Sequence, residues 1–119
     1  MMDIKFYNTM NKKQIDAQLS NALKRVLFNK GKLGKNIYLK KFGITRMECQ
    51  KIFSSHFLDG MSWNNHGIWW IDHLTPKSWF YYTNIDDAEV WNCWHIDNLR
   101  PKWSYHNIKK SDRFSDQEH

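Results

Sequence analysis

The sequence is poor in cysteine, and it has no acid at all between Asp16 and Glu48. Its two cysteines, Cys49 and Cys93, form no C-x-x-C pair. That gives no support to a disulfide framework or a structural zinc knuckle, and it fits a reducing compartment. No apolar run approaches the ~20 residues that span a bilayer. The N-terminal stretch "MMDIKFYNTMNKK" lacks the apolar core of a signal peptide. The expectation is therefore a soluble, intracellular chain with no membrane partner. Internal repeats and low-complexity segments are missing too, which argues against a solenoid or a disordered linker. With 119 residues, one domain is the default.

What is present is aromatic and basic. Seven Trp, seven Phe and five Tyr let a small domain bury large areas with few residues. The formal charge is +6 and the pI about 9.4, a balance that favours a polyanionic partner, nucleic acid before acidic membrane. The acid-free stretch carries Lys24, Arg25, Lys30, Lys32, Lys35, Lys40, Lys41 and Arg46. A run this long and one-signed predicts contact with a phosphate backbone; the plain alternative is a solvated face that aids solubility.

Periodicity supplies the elements. Ile15, Leu19, Ala22, Leu23, Val26 and Leu27 follow helical 3, 4 spacing within "NKKQIDAQLSNALKRVLFNKG", with Gly31 near the stop. "KGKLGKNIYLKKFG" reads as a basic loop with an extended piece at "NIYL". A second helix starts at Thr45, which forms a capping-box pattern with Glu48. Its apolar stripe is Cys49, Ile52, Phe53, His56 and Phe57, His56 reading as a packed core residue, and Gly60 suits its end. "MSWNNHGIWWIDHL" predicts a β-hairpin turning at Asn64–Gly67. Pro76 argues against a continued central strand. "DDAEVWNCWH" predicts a short helix with Asp86 and Glu89 in capping-box spacing. "IDNLRPKW" reads as a strand or turn, and "SYHNIKKSDRF" as a short helix with Ser104 as N-cap.

Asp72 and His73 stand side by side between two apolar runs, and this is where the pattern becomes specific. "GMSWNNHGIWWIDHLTP", followed by "NLRPKWSYHNIKK", resembles the HNH endonuclease superfamily, the ββα-metal nucleases, in the zinc-free variant whose last histidine is an asparagine. The resemblance covers about residues 45–113. Asn98 and Asn107 lie nine residues apart, as in the family's corresponding segment. Such proteins are common in phages and viruses, often as homing-type endonucleases. The resemblance implies a general base at His73 and a structural asparagine at Asn98 that fixes the loop carrying it. It also implies metal ligation by Asp72 and Asn107. Both offer oxygen, so Mg2+ or Mn2+ is expected rather than zinc. An imidazole with an ordinary pKa of about 6.5 suits proton removal from water near neutrality. Lys110, three residues beyond Asn107, is a candidate phosphate contact, with Arg100 and Lys109 as weaker ones.

One α+β domain is thus expected: a basic helical region over 1–44, a ββα-metal core over 45–113 and a tail over 114–119. The expected activity is metal-dependent hydrolysis of DNA, double-stranded, by a monomer or homodimer. Two other readings stand beside it: a non-catalytic nucleic-acid-binding protein, or a nuclease subunit of a viral packaging or recombination complex. A zinc site built from His66, Cys93, His95 and His106 matches no familiar spacing. Successive side chains alternate along a regular strand. For Asp72 and His73 to serve one site, a bulge or bend at His73 is expected.

Overall fold

The computed structural model describes residues 11–104. The Ser104 helix and the 114–119 tail lie outside the described residues. Helix α1 (Asn11–Phe28) buries the whole stripe read from its spacing, Ile15 through Leu27. It ends before Gly31, because side chains from the next long helix satisfy its free carbonyls. Arg46 donates from Nε to the Val26 carbonyl (3.2 Å) and from Nη1 to the Gly31 carbonyl (2.6 Å). Gln50 donates to the Val26 carbonyl at 3.3 Å.

The segment expected to be a loop with an extended piece contains helix α2 (Ile37–Phe42). Six residues are too few to show a period, and capping defines the helix instead. The Asn36 side chain accepts from the Tyr38 and Leu39 amides (2.9 and 3.1 Å) and donates to the Ala22 carbonyl (3.1 Å). Gly43 closes the helix at φ 58, a left-handed conformation that favours glycine. Tyr38 is fully buried and donates its hydroxyl to the Trp94 carbonyl at 2.6 Å.

Helix α3 (Arg46–Ser54) opens on the expected capping box between Thr45 and Glu48. It stops at Ser54, earlier than expected; Ser55 is the C-cap, and Gly60 lies beyond it. The expected hairpin within 61–74 does not form. Asn65 accepts from the Ser62 amide (2.8 Å) and from Trp69 Nε1 (3.0 Å), so these turn-favouring residues cap a short 3-10 turn, Trp63–Asn65. Strand β1 (Trp69–His73) pairs instead with β2 (Leu99–Trp103), antiparallel, with Trp69 opposite Trp103 and His73 opposite Leu99. The sheet has two strands among the described residues. Pro101, which lacks a donor, is tolerated because, among the described residues, each strand is an edge strand.

Between the strands lies helix α4 (Ala88–Trp94). Its N-cap is Asp87, and the expected Asp86–Glu89 box is replaced by ties to the preceding loop. Asp87 accepts from the Thr83 and Asn84 amides, and Glu89 from the Tyr81 amide. One core joins α1 to β2 and includes Tyr38, Phe53, Trp69, Tyr82, Trp94 and Leu99. The architecture is α+β.

Candidate active site

β1 ends at the Asp72–His73 pair, and a cleft of about 310 Å³ opens beside it. Trp70, Ile71, Asp72 and His73 all line this cleft, facing Ser20, Leu23 and Lys24 of α1, with Lys77 and Trp94 closing it. Pairing with β2 is regular through His73, so the expected bulge is not there. Four consecutive residues of β1 line the cleft, although Asp72 turns toward Lys102 of β2 and His73 toward Trp94 of α4, as the alternation of a regular strand requires.

The loop after His73 is clamped. Asn98 accepts from the Thr75 amide (2.8 Å) and donates to the carbonyls of Thr75 (3.2 Å) and Cys93 (2.8 Å). The Leu74 amide donates to the Asn98 carbonyl at 2.7 Å. One side-chain amide thereby joins the exit of β1, the end of α4 and the entry to β2, using both its donor and its acceptor capacity.

His73 stands edge-on to Trp94, with ring centroids 4.6 Å apart. Trp94 is itself held across the fold, its indole N–H donating to Asp16 of α1 at 2.9 Å; the Tyr82 hydroxyl donates to the same carboxylate oxygen. Burial in this setting pushes the His73 pKa down from 6.5 to about 4, and the nearby Lys77 ammonium adds to the effect, partly offset by Asp72 and Asp16. His73 is thus neutral at physiological pH and does not titrate near neutrality as its ordinary value suggests. Its Nε2 is buried and has no hydrogen-bond partner among the described residues. A buried acceptor or donor left unpaired is costly, so such atoms mark places where a further group is accommodated.

Asp72 differs from its neighbour. It is half-exposed, and its contact with Lys102 is a solvated pair at 3.9 Å, of a kind worth about 0–1 kcal/mol. The carboxylate is free to exchange that partner. A hard divalent cation such as Mg2+ takes one or two carboxylates, keeps several waters and fills the rest with substrate oxygens. Asp72 at the mouth of the cleft suits that demand. The second expected ligand, Asn107, and the expected phosphate contacts Lys109 and Lys110 lie outside the described residues. Among the described residues, no group of three or more His, Cys, Asp or Glu is arranged to hold a metal. Cys93 of the zinc alternative is buried in the core, and His106 of that set lies outside the described residues.

The basic residues divide into two kinds. Lys24, Arg25, Lys30, Lys32, Lys35 and Lys40 are exposed, and Lys24 reaches the cleft. Lys41, Arg46 and Arg100 are engaged within the fold: Lys41 donates to the Ile85 carbonyl (2.6 Å), Arg46 caps α1, and Arg100 donates to the Asp97 and Leu99 carbonyls. Sequence reasoning missed Lys77, Trp94 and Asp16. Nothing local marks Lys77 except its place four residues beyond His73, and the Asp16–Trp94 tie spans 78 residues.

No known family matches the chain as a whole or in part, and no solved structure matches it. One curated relative is an uncharacterized protein of Acanthamoeba polyphaga mimivirus, 36% identical over 58 residues. The match covers 48% of this chain and 25% of the viral protein, so the chain spans about a quarter of that relative's length. No helix among the described residues is long and apolar enough to cross a membrane.

Proposed function

We propose that the chain is a metal-dependent DNA endonuclease of the HNH, ββα-metal type, and that the Asp72–His73 cleft is its active site. The observation that carries this reading is the cleft itself: a half-exposed carboxylate, a half-buried imidazole and two lysines, Lys24 and Lys77, all belong to residues that line it. Phosphodiester hydrolysis needs those elements. His73, unprotonated at neutral pH, accepts a proton from the attacking water. A lowered pKa weakens it as a base but keeps the whole population in the accepting form. Lys24 and Lys77 neutralise phosphate charge. Asp72, and Asn107 as the family resemblance implies, would hold the divalent cation, which when bound would stabilise charge on the phosphate and on the leaving 3′ oxygen. Asn98 fixes the loop and thereby the direction of the imidazole. The exposed lysines of α1 and the following loop supply affinity without reading sequence. With one such Asp-His cleft among the described residues, a monomer cuts one strand at a time.

Plasmid nicking with Mg2+, Mn2+ or EDTA tests the proposal, comparing the wild-type chain with Asp72→Asn. The expected result is metal-dependent nicking that Asp72→Asn reduces at least a hundredfold. Salt-sensitive DNA binding without nicking under any of these metals would favour the non-catalytic binding protein instead.

A further inference from the structure

A second and larger cavity, about 580 Å³, lies at the C-terminal end of α1, within the size range of small-molecule sites. Phe28, Trp63 and His66 place aromatic rings on its otherwise largely polar wall. His66 stacks on Phe28 with centroids 4.3 Å apart and an interplanar angle of 17°, and Trp63 meets Phe28 edge-on at 6.2 Å. Asn64 adds an exposed amide, and Lys30 and Arg46 stand at the rim. The end of α1 is the negative pole of the helix dipole, which disfavours an anion inside the cavity. Arg46 is already spent on the carbonyls there. What suits the cavity is a neutral, planar group with hydrogen-bonding edges, joined to a phosphate that stays outside near Lys30. Lys24, on the wall of the Asp72–His73 cleft, and Phe28, on the wall of this cavity, are one helical turn apart. That is about 6 Å along the axis, or roughly two steps of a stacked strand at ~3.4 Å each.

We propose that this cavity receives one unpaired base of the strand whose phosphate occupies the Asp72–His73 cleft. The preferred substrate is then DNA with a single-stranded or frayed nucleotide beside the cut. The inference rests on the nuclease reading for the neighbouring cleft, and the base stacks on the Phe28–His66 pair while Asn64 meets its edge.

The test is fluorescence anisotropy in EDTA at fixed salt. The probes are a labelled duplex with a short single-stranded tail and the same duplex with an abasic tail. The expected preference for the base-bearing tail is roughly 5- to 150-fold, the ratio that stacking one base supplies. His66→Ala abolishes the preference, and His66→Phe retains it. Equal affinity for the two tails, or a full preference in His66→Ala, overturns the proposal. Because no cleavage is read, this result is separate from that of the active-site assay. A base preference without metal-dependent nicking sinks the nuclease reading alone, and nicking without a base preference sinks the base pocket alone.

Discussion

Acidification acts on this fold through His73. The unfolded chain takes up a proton on this imidazole at about 6.5, whereas the folded chain resists until about 4, chiefly because the ring is buried against Trp94. Below pH 6.5 the unfolded state therefore binds a proton that the native state refuses, and stability falls as pH drops toward 4. Each pKa unit corresponds to about 1.4 kcal/mol, so the gap sets an upper bound of about 3 kcal/mol; the ring is partly solvated, and screening reduces the cost at pH 4.5 to about 1–2 kcal/mol. In a domain of this size that lowers Tm by roughly 5–15 °C, at about 4–8 °C per kcal/mol. Carboxylates titrate in the same range, so the informative quantity is a difference between proteins. His73→Phe keeps a ring against Trp94 and removes the titration. Urea melts at pH 7 and 4.5 should show the wild type losing about 1–2 kcal/mol more than His73→Phe. Parallel losses in the two proteins would refute the reasoning, because the imidazole would then be solvated enough to charge freely.

Three further outcomes follow from the same geometry. Asn98→Ala removes three hydrogen bonds that join Thr75 to Cys93; at about 1 kcal/mol each, a urea melt should show a loss of about 3 kcal/mol. Lys77→Ala should raise the His73 pKa in an NMR titration, since the ammonium is one cause of its depression. Lys24→Ala and Lys77→Ala should each reduce the slope of log affinity for DNA against log salt by about 1, and unchanged slopes would remove both from the phosphate path.

Helices α1 and α3 were legible because each repeats an apolar stripe at helical spacing, and Thr45 with Glu48 marked where α3 begins. Helix α2 was not, since it buries only Tyr38 and Phe42 and depends on Asn36 reaching back to Ala22. The strand partner of β1 was misread locally. Asn64 and Asn65 suit a hairpin turn and a capped 3-10 turn equally, and the indole of Trp69 selects the second by donating to Asn65. The Asp72–His73 pair stood out only in company with Asn98, and the hydrogen bonds of Asn98 to Thr75 and Cys93 give that company a physical form. The depressed pKa of His73 was invisible in sequence. It depends on Trp94, which is oriented by Asp16 from the far end of the chain, and no local pattern encodes such a contact.

The most direct test is single-turnover nicking of plasmid DNA by His73→Ala in Mg2+, with the bound fraction measured alongside. The account predicts nearly wild-type binding and a cleavage rate lower by about 100-fold or more, the span a general base contributes. Cleavage by His73→Ala at the wild-type rate would contradict it.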